Sequence, residues 1–241
     1  MSAVHRELKT QEEIQRVASD TITAWQHPAI PMRQYELVRH ELETFRVYRN
    51  GEPFAGFSRC MEQLSTSTNE RGSRLLDVGA SGGYYGEVLK MIGWRGQYTA
   101  CDSSRAFAEL AQGIYPGIDY DIGDACGLPY RDDWFDIVLS SGCIMHIYEW
   151  QKAIAELART SSRYVILHRT PVSSETRYFE KIAYDVRCLE VHFSPTDLSR
   201  EFVKAGMWPV YETELTWDAG MQYKMRSYVL EKPNLLRHLQ V

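Results

Sequence analysis

Leu75-Leu76-Asp77-Val78-Gly79-Ala80-Ser81-Gly82-Gly83-Tyr84-Tyr85-Gly86 is the stretch on which the fold turns. Four residues suited to a buried strand run into a turn of small residues, and an amphipathic segment follows through Met91. A glycine-rich turn between a strand and a helix lets the backbone pass close beneath a ligand, while the helix start offers unpaired N–H donors. Such a turn alone is weak; the strand before it and the helix after it supply the context that gives it meaning.

Outward from that turn the same alternation repeats. Tyr98–Asp102 reads as a second strand, with a helix around Arg105–Gln112; Ile118–Ile122 reads as a third. Phe135–Leu139 is a fourth, followed by a helix over Trp150–Arg159, and Tyr164–Leu167 a fifth. Strands alternating with helices at this spacing predict an α/β chain with a parallel sheet covered on both faces. Ser194-Pro195-Thr196-Asp197 then reads as a capping box opening a helix that stops near Gly206. Two final strands, Val210–Thr216 and Tyr223–Leu230, are joined by Trp217-Asp218-Ala219-Gly220, a short connection that suggests a hairpin and so a reversed last strand.

Upstream, residues 1–70 read as a helical extension or lid: Glu12–Trp25 and Met32–Tyr48 on either side of His27-Pro28-Ala29-Ile30-Pro31, with a short helix near 55–65. Residues 71–241 form the core, with a lid insertion at about 172–194 whose aromatic residues Tyr178, Phe179 and Tyr184 belong to core or lid.

Carboxylates fall at the strand ends. Asp102 closes the second strand 25 residues after Asp77 and is placed to accept both hydroxyls of a ribose. After the third strand comes Gly123-Asp124-Ala125, where an acid and the next N–H suit the edge of an adenine.

Leu-Asp-Val-Gly, an acid closing the second strand, Gly-Asp-Ala and Phe135-Asp136-Ile137-Val138-Leu139-Ser140-Ser141, in this order, resemble the class I S-adenosylmethionine-dependent methyltransferases of domain type 11 or 25. The resemblance covers about Arg74 to Pro171, and the terminal hairpin fits the family's reversed seventh strand. It implies a Rossmann-like seven-stranded sheet and S-adenosyl-L-methionine as cofactor. By the resemblance Asp77, Gly79, Ala80, Ser81 and Gly83 line the methionine and ribose side. Asp102 holds the ribose with Ser103 beside the adenine, Asp124 and Ala125 address the adenine edge, and Ser140 faces the sulfonium. Ser81 stands where the family has the middle glycine, which shifts the turn or adds a hydroxyl ligand.

Proton acceptors are sought among histidines at the sheet's carboxyl edge. His146 lies six residues after Ser140, and His168 follows the fifth strand with Arg169 beside it as a site for an acidic substrate group. His192 is a third candidate. Neither strand four nor strand five ends in the carboxylates that a magnesium-dependent enzyme of this kind would use, so no metal is expected. No Asn/Asp-Pro-Pro-Tyr follows strand four, which disfavours exocyclic amines of nucleobases.

A net charge of -5 without a basic run disfavours nucleic acid as partner. The five cysteines lack metal-ligand spacing and read as reduced thiols. No apolar stretch approaches the ~20 residues of a membrane span. The expected protein is therefore a cytoplasmic enzyme that methylates O or N of a small-molecule acceptor. The competing readings are a non-catalytic binding or assembly protein on the same fold and a nicotinamide-dependent oxidoreductase.

Overall fold

The structure, a computed structural model, describes residues 5–65, 68, 72–215 and 223–233. Strand β1 (His5–Glu7) leads into α1 (Gln11–Trp25), α2 (Ile30–Tyr48) and α3 (Phe54–Glu62). The alternating core follows: β2 (Arg74–Val78), α4 (Tyr85–Met91), β3 (Gln97–Asp102), α5 (Arg105–Ile114), β4 (Asp119–Ile122) and β5 (Phe135–Ser141). A 3-10 turn at Ile144–His146 leads to α6 (Trp150–Thr160) and β6 (Ser161–Val172). Then come β7 (Arg177–Ala183), β8 (Val186–His192), α7 (Pro195–Lys204), β9 (Trp208–Leu215) and β10 (Lys224–Glu231).

Seven strands form one sheet in the order β4-β3-β2-β5-β6-β10-β9. The pairs from β4 to β6 are parallel, whereas β10 runs antiparallel to both β6 and β9. The last strand is thus the reversed one and is inserted beside the fifth, as the family pattern requires. Residues 216–222, on which the expected hairpin connection falls, lie outside the described residues.

The period-2 alternation of side chains divides the core between the two faces of this sheet. Leu76, Val78, Val138, Val165 and Leu167 pack against α1, α6 and α7 on one face. Leu75, Ile137, Leu139, Tyr164 and Ile166 pack against α2, α3 and α4 on the other. Strands buried on both faces carry continuous apolar runs, which is why β2 and β5 were legible as strands.

Around residues 172–194 the structure has more order than a lid loop. β7 and β8 make an antiparallel hairpin, and β1 adds to β7, giving a second sheet in the order β1-β7-β8. Its two-residue turn holds Tyr184 and Asp185, both with positive φ (52° and 63°), the geometry of a type I′ hairpin turn. Neither residue is glycine or asparagine, so the turn carried no sequence signal. α1 starts at a full capping box between Thr10 and Glu13. The box expected at Ser194 does not form: Ser194 precedes α7 without a side-chain cap bond, and Asp197 instead accepts from Thr176 and pairs with Arg200.

Candidate functional site

A cavity of about 490 Å³ opens at the carboxyl edge of the parallel strands, the place where open α/β sheets bind ligands. Its floor begins at the turn after β2. Gly79 has φ +73°, and a Cβ there would lie 2.3 Å from the Cys143 sulfur; at Gly83, φ +72°, it would lie 2.5 Å from Ile118. Both positions need glycine for conformation and for space. Ser81, between them, also has a positive φ of 50°. Its N–H donates to Asp102 Oδ2 at 3.0 Å and its carbonyl accepts from the Tyr120 hydroxyl at 2.6 Å. Those two bonds hold a backbone conformation that a non-glycine residue otherwise avoids.

Asp102 ends β3 with its carboxylate facing the turn. It accepts from the N–H of Ser81 and, at 2.9 Å, from that of Ser104 at the start of α5. Burial nevertheless raises its pKa, with these backbone hydrogen bonds opposing. Asp124 is exposed in its loop after β4, where its side chain accepts from the Cys126 N–H at 2.8 Å. Ser103 lies at the rim, its carbonyl accepting from the Gln26 amide at 3.1 Å.

His146 comes from the 3-10 turn after β5. Its Nδ1 lies 2.6 Å from the Leu189 carbonyl on β8, so Nδ1 carries the proton and Nε2 the lone pair. Burial lowers its pKa, with the hydrogen bond to Leu189 opposing. The indole of Trp25, at the end of α1, packs against the imidazole at 5.3 Å and against Tyr184 at 5.9 Å between ring centroids.

Of the residues singled out from sequence, Gly79, Ser81, Asp102, Ser103, Asp124, Ala125 and His146 line this one cavity. Asp77, Ala80, Gly83, Ser140 and His168 do not. Asp77 is buried beneath the turn, accepting from the Tyr98 hydroxyl at 2.7 Å, and burial raises its carboxyl to about 7. Ala80 is also buried there, and Gly83 packs against Ile118. Ser140 points into the core and its neighbour Ser141 takes the cavity wall, because successive strand residues face opposite ways. His168 is enclosed between Phe57 and Tyr85, with Nδ1 2.7 Å from Ser227 Oγ, and burial first, then the Arg169 charge, lowers its pKa to about 3. His192 is buried against Glu190 at 2.9 Å.

Sequence reasoning marked residues 1–70 and about 172–194 as lid segments but named none of the residues of α1 that wall the cavity. α1 contributes Ala18, Thr21, Ile22 and Trp25, and the hairpin contributes Lys181 and Tyr184. Which of their side chains face the cavity is set by how α1 and the hairpin pack on the sheet, and the sequence pattern does not carry that. Among the described residues no group of three or more His, Cys, Asp or Glu could hold a metal ion, and no helix is long and apolar enough to cross a membrane.

Comparison with known proteins agrees with this fold. Residues 76–163 match the family model of a methyltransferase domain. Norajmaline N-methyltransferase of Rauvolfia serpentina is 31% identical over 102 residues, covering 39% of this chain and 34% of that protein. Demethylmenaquinone methyltransferase of Renibacterium salmoninarum is 34% identical over 90 residues, 37% of each. The chain thus matches about a third of the length of these curated relatives. Among solved structures, Burkholderia thailandensis 1,6-didemethyltoxoflavin-N1-methyltransferase, crystallised with 1,6-didemethyltoxoflavin and S-adenosylhomocysteine, superimposes with a TM-score of 0.61 at 16% identity. That superposition covers 96% of this chain and 94% of that one.

Proposed function

We propose, from the premise that residues 76–163 form a methyltransferase domain of the class I S-adenosylmethionine-dependent family, that this chain methylates an oxygen or nitrogen of a small-molecule acceptor. The observation that carries the reading is the convergence of Asp102, Asp124 and His146 on one cavity. A nucleoside fits this donor set. Asp102 is a carboxylate already oriented by two backbone N–H groups and suited to vicinal hydroxyls, and Asp124 with the Ala125 N–H suits an adenine edge. The bound cofactor supplies an electrophilic methyl group.

The chain's own residues then have two tasks: alignment of the acceptor and removal of its proton. His146 is neutral near pH 7, since burial holds its pKa below the ordinary imidazole value. With Nδ1–H committed to Leu189, its Nε2 is the atom that takes the acceptor's proton. α1 and the β7–β8 hairpin act as the lid, placing Trp25 and Tyr184 over the cavity and excluding water. The small-molecule class is supported by this enclosure, by the acidic net charge of -5 and by the acceptors named for the relatives above.

Calorimetric titration with S-adenosylmethionine and, separately, with NADH tests the reading. Saturable binding of the former alone is expected. Binding of NADH, or of neither, would overturn it.

A further inference from the structure

Lys181 brings a cation into the cavity wall from the β7–β8 hairpin. In the hairpin register Lys181 stands opposite Cys188 and Phe179 opposite Glu190, so Lys181 and Glu190 are diagonal neighbours on one face. Their ammonium and carboxylate pair at 2.5 Å, and the second carboxylate oxygen lies 2.9 Å from His192 Nε2. The Glu190 side chain is fully buried, whereas that of Lys181 is 19% exposed. A carboxylate sealed in the fold thus holds an ammonium at the cavity surface. Among the described residues Glu190 is the one hydrogen-bond acceptor of that ammonium, so two of its three donors face the cavity side without one.

Consecutive residues of β8 fix this cation and His146 together: the Leu189 carbonyl sets the imidazole tautomer, and Glu190 holds the ammonium. Burial first lowers the pKa of His146; of the charges acting on it, Glu190 raises it, while Lys181 and Arg169 lower it. Arg169 reaches the wall from a bulge in β6 opposite Ser227. Asp102, Asp124 and Glu149 line the cavity too, but act on His146 less than these three. The imidazole therefore sits among two cations and one carboxylate, a field that favours an anion beside it and repels an ammonium. Trp25, Tyr84 and Tyr184 wall the same space, which suits a planar ring.

We infer that Lys181 holds the oxygen of an aromatic hydroxyl on the acceptor as an anion beside His146, so that the acceptor is a phenol and not an amine. The inference rests on the methyl-transfer reading and names the acceptor class for that site. On binding, the acceptor's O–H bond breaks, its proton goes to His146 Nε2 and the electron pair stays on oxygen, where the ammonium donates a charge-assisted hydrogen bond. A phenol ionises at about pH 10, as tyrosine does, and a close cation lowers that by about 1–3. An aliphatic alcohol lies too far above neutral pH for the same cation to ionise it.

p-Nitrophenol, whose phenolate is coloured, and p-nitroaniline, an amine of the same shape, are the probes. Both are titrated into the full chain loaded with S-adenosylhomocysteine, below the phenol's own pKa. The wild type is expected to bind p-nitrophenol with a rise in the phenolate band and to prefer it to p-nitroaniline about tenfold or more. Lys181→Met together with Glu190→Gln, which leaves no buried carboxylate without its cation, should lower the bound phenolate fraction about tenfold and abolish the preference. Lys181→Arg should keep both. A wild type that binds p-nitrophenol un-ionised, prefers p-nitroaniline or binds neither overturns the proposal, as does an undiminished phenolate band in the double variant. Should that variant no longer bind S-adenosylhomocysteine, Lys181→Gln, whose amide still donates to Glu190, decides by the same criteria. Failure of the wild type to bind S-adenosylhomocysteine would instead strike at the methyl-transfer reading itself.

Discussion

His146 Nδ1 sits 2.6 Å from the carbonyl oxygen of Leu189, so a residue from the sheet's edge is held in one tautomer by the hairpin that covers it. The same residue is anchored on its other side: the Leu189 N–H donates to Thr21 Oγ1 at 2.7 Å, and that hydroxyl donates to the Val17 carbonyl at 2.6 Å. Helix α1, the hairpin and the imidazole are thereby one hydrogen-bonded unit.

If His146 removes the acceptor's proton, His146→Asn lowers kcat by about 10²- to 10⁴-fold while leaving S-adenosylmethionine affinity unchanged. In the wild type the rate should fall with acid only below the ordinary imidazole range, because burial lowers this pKa. Steady-state kinetics across pH check both. Wild-type turnover in the variant would return His146 to a purely structural role.

Thr21→Val removes the acceptor of the buried Leu189 N–H and should cost about 1–3 kcal/mol of stability. Urea denaturation measures it. A variant as stable as the parent would mean that α1 is held without this bond.

Asp102→Ala strips the nucleoside end of its charge-assisted acceptor and should weaken S-adenosylmethionine binding by more than about 1 kcal/mol. Calorimetry with that ligand gives the answer directly, and unaltered affinity would remove Asp102 from the cofactor site.

Two buried groups give opposite pH dependences of stability. Asp77, raised to about 7 by burial with Tyr98 opposing, keeps in the folded state a proton that the unfolded chain releases from about pH 4 upward. The folded state then binds more protons, so this residue lowers stability progressively as pH rises from about 4 to 7. Asp77→Asn should therefore raise Tm relative to wild type by about 2 °C or more at pH 7.5, with the gain vanishing near pH 4. His168 works the other way. With its pKa lowered to about 3, the unfolded chain binds the extra proton first as pH falls below about 6.5, and stability is lost from there toward pH 3. Thermal melts of His168→Phe across pH 7 to 4 should show a shallower acid loss than wild type, and an equal slope would refute the assignment.

Much of the cavity floor was readable because it is local. A strand, a turn of small residues and a helix lie consecutively at 75–91; Asp102 ends its strand and Asp124 follows its strand by two residues. Each signal needs only the period of its own strand and the chemistry of its own turn. His168 was not readable as a core residue. Tyr164 and Ile166 put it on the face covered by α3, but whether its tip reaches the cavity depends on the bulge opposite Ser227, a residue 59 positions away. The second sheet was hidden for a related reason: β1 has three residues, acquires its meaning only by pairing with β7, and the hairpin turns on Tyr184 and Asp185 without a glycine.

By itself the sequence determined the alternating core, the reversed final strand and the residues at the strand ends, since periodicity, turn chemistry and strand order are written along the chain. Only the tertiary structure decided which candidates share a cavity. Sequence spacing is blind to which face of a strand a neighbour covers, so His146 meets Leu189 and Trp25 while His168 disappears between Phe57 and Tyr85. The physical reason is that exposure and pKa are set by what packs against a side chain from elsewhere in the fold, and those contacts exist only once the chain has closed on itself.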